Sequence, residues 1–369
     1  MPAPHRDILL IDEQAPLDEF CESIIDRGPV SCDTEFVRTN TYWPTLCLMQ
    51  FELASEIVCL DVWSVDDLSA LQQAISASTE PWILHAAKQD LEAMHSTFTQ
   101  VPSRIIDTQI AAGLLGHPPQ IGYANLVETL LGVRLDKAET RTDWSRRPLT
   151  PAQLTYAADD VAHLAEVNNR LAAGLEAAGR SDWAAEDCAA LLVTDQYESR
   201  PDVAYRRIPS IPYLPVPAQA RARRLAAWRE DRATRLNRPR KWILADKPLL
   251  KIAQADPGAA VDLTGIEDLP PAVIRKSGDS LVNECRLAND DVAAGRVDFT
   301  QQSKPAPPDE QQLKQLAALV RTTAEALQLA PELLATRKEL TGLLRGQRDV
   351  RPLSGWRADV IGRQLLAAL

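Results

Sequence analysis

Four short apolar runs mark the start of the chain, at 29–36, 45–53, 56–62 and 82–85, each rich in Val, Ile, Leu, Phe or Cys. Runs of that length and composition read as strands, and the first three follow one another with little chain between them. Helical patterns at 65–76 and 88–98 come between and after them, so an α/β domain with a mixed sheet is predicted. The segments 108–115, 123–131 and 151–178 read as helices only. At 369 residues the chain has room for two or three domains and a sizeable core.

Two proline clusters divide the remainder. Residues 200–217 hold Pro201, Pro209, Pro212, Pro215 and Pro217 without helical periodicity. Proline fixes φ and removes a donor, so an extended linker is expected there. A second break at 303–310 holds Pro305, Pro307 and Pro308. The stretches 218–236, 248–254, 278–294, 311–327 and 332–344 have the apolar spacing of amphipathic helices. The expected layout is therefore a catalytic-looking domain at 1–200, a Pro-rich linker at 201–217, and small all-α domains at 218–299 and 300–369. The two helical domains are weakly similar in sequence.

Candidate chemistry lies in the acids. In Val30-Ser31-Cys32-Asp33-Thr34-Glu35-Phe36 the two carboxylates are two residues apart, so on a strand they project to one side. Side by side they repel unless a cation or a proton lies between them; an exposed strand face would leave them simply to water. The apolar run before the pair favours a buried strand. A second group opens a helix at Thr150-Pro151-Ala152-Gln153, an N-cap, a first-turn proline and a capping-box glutamine. That start puts Tyr156 and Asp160 on one face and turns Asp159 about 100° away. A phenol and a carboxylate so placed could hold a water and a metal, or could be a rim residue and a surface acid. The third group is His85-Ala86-Ala87-Lys88-Gln89-Asp90-Leu91, where Asp90 also suits the helix dipole and His85 reads as a local hydrogen-bonding residue. Together Asp33, Glu35, Asp90 and Asp160 supply the oxygen ligands that two Mg²⁺ or Mn²⁺ ions prefer.

Charge alone points away from nucleic acid, since the net charge is −11. Its distribution is uneven: residues 1–200 carry 13 basic against 31 acidic residues, whereas residues 206–241 carry 11 basic against Glu230 and Asp231. Arg221, Arg223, Arg224, Arg238, Arg240 and Lys241 in that stretch, with Arg146 and Arg147 nearer the acids, are candidate contacts to an anionic substrate. Trp228 and Trp242 are expected in the helical core, and Trp144 is a candidate for packing. No segment resembles a secretory signal or approaches a membrane span of roughly 20 apolar residues, so a cytoplasmic protein with no membrane association is expected. Cys21, Cys32, Cys47, Cys59, Cys188 and Cys285 form no C-x-x-C pair and read as buried free thiols. No G-x4-G-K-[ST] occurs, and no nucleotide cofactor is expected.

The order D-x-E, H-x4-D-L and Y-x3-D resembles the DEDD exonuclease superfamily in its tyrosine variant. Cys32-Asp33-Thr34-Glu35-Phe36, the run from His85 to Glu92, Asp107-Thr108-Gln109, Arg141-Thr142-Asp143-Trp144-Ser145-Arg146-Arg147-Pro148-Leu149 and Tyr156-Ala157-Ala158-Asp159-Asp160-Val161 narrow the resemblance to the ribonuclease D family. Ala227-Trp228-Arg229-Glu230 with Pro248-Leu249-Leu250-Lys251-Ile252-Ala253 is similar to a helicase-and-RNase-D C-terminal (HRDC) domain. Pro331-Glu332-Leu333-Leu334-Ala335-Thr336 resembles a second copy. The resemblance implies a ribonuclease H-like mixed-sheet exonuclease domain followed by two HRDC-type domains. It implies a 3′–5′ exoribonuclease that trims precursor tRNA and other small structured RNAs hydrolytically and releases nucleoside 5′-monophosphates. In that scheme Asp33, Glu35 and Asp160 bind one divalent ion, Asp33 also reaches a second, and Asp90 supports the second through water. Tyr156 orients the attacking water. The expected partner is RNA with a single-stranded 3′ end, bound by a monomer. A DNA exonuclease of the same superfamily and a non-catalytic RNA-binding scaffold are the competing readings. A metal-free glycosidase ranks last, because two acids adjacent on one strand are poorly placed to flank a bond.

Overall fold

Six strands form one mixed sheet: β1 (Ile8–Ile11), β2 (Val30–Val37), β3 (Thr45–Leu53), β4 (Glu56–Asp61), β5 (Trp82–Leu84) and β6 (Ile105–Asp107), in the order β1-β4-β3-β2-β5-β6. The computed structural model describes residues 8–26, 29–136 and 142–369; Arg141 of the sequence motif and residues 1–7 lie outside them. The pairs β2–β3 and β3–β4 are antiparallel, while β1–β4, β2–β5 and β5–β6 are parallel. The central strands β2 to β5 lie where the apolar runs predicted. The short edge strands β1 and β6 leave no mark in the sequence pattern, since four and three residues carry little periodicity.

Around the sheet stand α1 (Gln14–Asp26), α2 (Ser69–Ala77), α3 (Lys88–Phe98), α4 (Thr108–Leu114), α5 (Tyr123–Leu131), α6 (Pro151–Val161), α7 (Leu164–Ala177) and α8 (Ser181–Leu191). The continuous helix expected at 151–178 is two helices. The backbone N–H of His163 donates to the Tyr123 hydroxyl at 3.1 Å, and α7 begins at the next residue. No proline or glycine marks that break, so nothing local in the sequence announced it.

The chain divides into two compact units. One comprises Thr45–Tyr197 and Pro307–Leu369 with the chain up to Val37; the other comprises Arg38–Pro44 and Glu198–Ala306. The second unit contains α9 (Val216–Arg235), α10 (Arg240–Ile243), α11 (Asp246–Ala255) and α12 (Pro271–Ala293). The segment expected as an extended linker is part of this unit's core. It forms short 3₁₀ turns at Pro201–Arg207 and Ile211–Tyr213, and Ala204, Ile208, Ile211 and Leu214 bury themselves with Leu225, Leu249 and Leu281. Its prolines occupy the starts of turns and of α9, where no N–H is needed, so they shape the packing instead of preventing it.

A second correction concerns residues 300–369, expected as a separate helical domain. The helices α13 (Glu310–Leu327), α14 (Pro331–Leu334) and α15 (Arg337–Leu344) and the turns after them belong with the sheet-containing unit. Leu313, Leu316, Val320, Leu340 and Ile361 share one core with Ala111, Leu114, Leu126, Val167 and Leu171 of α4, α5 and α7. Trp356 stacks on Trp183 of α8 with ring centroids 4.2 Å apart, and the Arg357 guanidinium pairs with Asp187 at 2.6 Å. An amphipathic helix must bury its apolar face against something, and here the partner is the α/β domain.

Removing residues 307–369 should therefore bare the apolar faces of α4, α5 and α7. The shortened chain is expected to bind a hydrophobic dye and to unfold at a clearly lower urea concentration than the full chain. An unchanged urea midpoint would show that the shared core contributes nothing.

Candidate active site

Strand β2 places Asp33 and Glu35 on one face of the sheet, and α6 crosses that face. The start of α6 is fixed by a complete capping box: Thr150 Oγ1 accepts from the Gln153 N–H at 3.2 Å, and the Gln153 side chain accepts from the Thr150 N–H at 2.9 Å. Tyr156 and Asp160 then point into the same cavity as Asp33 and Glu35. That cavity, about 220 Å³, is also lined by Thr34, His85 and Tyr123. Ligand oxygens of Asp33, Glu35 and Asp160 lie within 4.8 Å of one another, and the Tyr156 hydroxyl donates to Asp160. Asp159 is outside this group.

Asp90 is not in the tight trio. It is buried on α3, and its Oδ1 accepts from Thr34 Oγ1 at 2.6 Å, which ties α3 to the strand between Asp33 and Glu35. The placement of α3 depends on a residue whose role the sequence did not disclose. The Asp107 carboxylate accepts from the N–H groups of Ala86 (3.0 Å) and Ala87 (2.9 Å) ahead of α3, and of Gln109 (2.9 Å) and Ile110 (3.4 Å) at the start of α4. Ala86 has φ of 58°, a left-handed conformation unusual for alanine, so the turn needs such an anchor. The available signal was an aspartate immediately before a helical run, the pattern of an N-cap. His85 is bound at both ring nitrogens, by Thr108 Oγ1 and the Ile121 carbonyl at 2.9 Å each, and burial lowers its pKa.

Burial and crowding together set the electrostatics. Burial, then the neighbouring carboxylates, push Glu35 up to about 9 and Asp33 well above the carboxylate range. Asp160 and Asp90 are pushed up to about 7, chiefly by burial. Three carboxylates converging within 4.8 Å are hard oxygen donors that fit a divalent cation, which would offset their mutual repulsion. The cysteines offer no rival site, since all six are buried and unpaired.

The candidate RNA-binding side chains divide into two sets. Arg147 pairs with Asp61 at 2.7 Å, Arg221 with Asp256 at 3.1 Å, Arg224 with Asp291 at 2.8 Å, and Arg240 with Glu230 at 2.6 Å. Arg223 lies between the rings of Tyr205 and Phe299. These five serve internal contacts, and much of the basic surplus is thereby used within the fold. Arg146, Arg238 and Lys241 are exposed, although Arg146 contacts Asp143 and Arg238 contacts the Asn40 carbonyl. Trp228 packs at the helical core as expected, whereas Trp242 is 59% exposed, contrary to the expectation of burial; it follows Lys241 on the four-residue α10, too short to cover it. Trp144 is buried against Leu48 and Ala157.

Comparison with known proteins agrees with this geometry. Residues 8–176 match a 3′–5′ exonuclease family model, and residues 218–285 match the HRDC domain. Ribonuclease D of Gluconacetobacter diazotrophicus is 35% identical over 98% of this chain and 92% of its own length. The chain belongs to the ribonuclease D family. Ribonuclease D of Pseudomonas paraeruginosa is also 35% identical, with 98% of each protein covered. The crystal structure of Escherichia coli RNase D, described as an exoribonuclease involved in structured RNA processing, superposes with a TM-score of 0.86 at 29% identity, covering 98% of both chains. As a family member the chain is a 3′–5′ exoribonuclease with a mixed-sheet exonuclease domain and a helical HRDC domain. Among the described residues no helix is long and apolar enough to cross a membrane.

Two outcomes test the site's construction. Asp107→Ala strips four N–H groups of their acceptor and should destabilise the protein by about 2–4 kcal/mol in chemical denaturation. Without added cations, the raised carboxyl groups bind more protons in the folded than in the unfolded state from the usual carboxylate range up to about pH 9, so stability falls as pH rises through that window. A divalent cation reverses the loss, and the gain in melting temperature on adding Mg²⁺ or Mn²⁺ should be larger at pH 8 than at pH 6. An equal gain at both pH values would contradict the account.

Proposed function

We propose that this exoribonuclease trims the 3′ ends of precursor tRNA and other small structured RNAs by hydrolysis, releasing nucleoside 5′-monophosphates, with two divalent ions, Mg²⁺ or Mn²⁺. The observation that carries the reading is the convergence of Asp33, Glu35 and Asp160 on one cavity with the Tyr156 hydroxyl bonded to Asp160. When bound, the cations supply positive charge that acidifies water and neutralises developing charge on phosphate oxygens. Asp33, Glu35 and Asp160 would hold the first, Asp33 would also reach the second, and Asp90 would support the second through water. Because the Tyr156 proton is directed at Asp160, the phenol oxygen is left to accept a hydrogen bond from a water and orient its lone pair toward phosphorus. The bond from Thr34 keeps Asp90 fixed while this occurs.

The exposed Arg146, Arg238 and Lys241, with Trp242 as a stacking surface, support contacts to RNA beyond the scissile end. Arg147, Arg221, Arg223, Arg224 and Arg240 are better read as serving the packing of their own units. The residues 331–336 support descent of the C-terminal helices from a second HRDC-type copy. Buried, unpaired thiols suit a reducing compartment and support a cytoplasmic enzyme.

The test uses 5′-labelled RNA and DNA oligonucleotides with Mg²⁺ or Mn²⁺, with and without chelator. A ladder shortening from the 3′ end is expected, lost on chelation and in Asp33→Ala; activity that survives chelation would sink the proposal, and equal cleavage of DNA would redirect it to DNA. Tyr156→Phe should lower kcat about 100-fold while keeping the cation-induced rise in melting temperature, because the phenol orients water without holding the ions.

A further inference from the structure

The side chain of Gln50 is fully buried, and neither its amide oxygen nor its amide nitrogen has a hydrogen-bond partner. Leaving a buried amide in that condition is costly, and the large majority of buried polar side chains are paired. The strand register locates it. In the antiparallel pair β2–β3, Gln50 stands directly opposite Asp33. Directly opposed residues share one face of the sheet, with Cβ atoms about 5 Å apart. Met49 and Phe51, on either side of Gln50, enter the core on the other face with Trp82 and Leu91. Leu48, two residues before and on the same face as Gln50, packs with Ala157 of α6. Gln50 is therefore on the face that carries Asp33 and Glu35 and is covered by the helix that carries Tyr156 and Asp160.

We propose that Gln50 is a positioning residue for the cation-binding carboxylates, its amide NH₂ donating to Asp33 when cations are bound and so fixing which Asp33 oxygens face them. The inference rests on the reading of the acids as cation ligands. A carboxamide suits the position for a specific reason. It supplies a donor that reaches a carboxylate, and it adds no negative charge to a site already crowded with it. A lysine or arginine there would neutralise Asp33 and compete with the ions, and an apolar side chain would leave the carboxylate free to turn. The irregularity between Glu35 and Phe36, where the partner on β3 moves from Leu48 to Leu46, confines the register shift to the far side of Glu35 and leaves the Asp33–Gln50 pairing intact.

The decisive variant is Gln50→Met, close in volume and without the amide. Its melting temperature without cations should equal or exceed that of the parent, since a buried unpaired amide has been removed. The Mg²⁺ or Mn²⁺ concentration giving half-maximal thermal stabilisation should rise about tenfold, and kcat should fall by a similar factor while KM for an RNA oligonucleotide stays within about twofold. An unchanged cation midpoint overturns the proposal. So does a variant that melts well below the parent without cations, because the amide would then serve the fold alone. Gln50→Glu should melt lower than the parent without cations and gain more from them. Asp33→Asn, titrated in parallel, reports the underlying reading. If it keeps the parental cation midpoint, the acids are not the cation ligands, whatever Gln50 does.

Discussion

Crowded negative charge is the constraint to which the rest of the site answers. Two carboxylates about 5 Å apart repel by about 3–4 kcal/mol at an effective dielectric of about 20, and three such groups converge here. A domain stable by only about 5–15 kcal/mol cannot ignore a cost of that size. The groups either take up protons, as their raised pKa values indicate, or meet cations. A site of this kind is held together by the rigidity of its surroundings, because its own members push apart.

That rigidity comes from polar contacts at the ends of elements. The capping box of α6 fixes the helix that brings Tyr156 and Asp160. The Asp107 carboxylate gathers four N–H groups and locks the turn through Ala86, and Thr34 completes the frame by bonding Asp90. Asp107 and Asp90 are both buried acids near the cavity, yet their partners differ. Asp107 gathers backbone donors from two helix starts, three on Oδ1 and that of Ala87 on Oδ2, whereas Asp90 accepts the Thr34 hydroxyl on Oδ1 and so ties α3 to β2.

Where local rules governed, the sequence was legible. Period-two spacing placed Asp33 and Glu35 together, and the capping signals set the α6 register that faces Asp160, not Asp159, into the cavity. Long-range partners were not legible. The arginines at 221, 224 and 240 read as a basic surface because their acids, Asp256, Asp291 and Glu230, meet them only in the folded helical unit. The prolines of 201–217 read as a linker because their role in starting turns depends on a core assembled from elsewhere. Gln50 is indistinct inside an apolar run, since only the pairing of β2 with β3 sets it opposite Asp33.

The chain path adds a consequence of its own. Residues 198–306 interrupt the sheet-containing unit, whose last helices return after them to fill the core begun by α4, α5 and α7. Synthesis runs from the amino end, so the clustered acids and Tyr156 are made long before the helices that close that core. A nascent chain carries its acids early but lacks that closing core until residues 307–369 have been made.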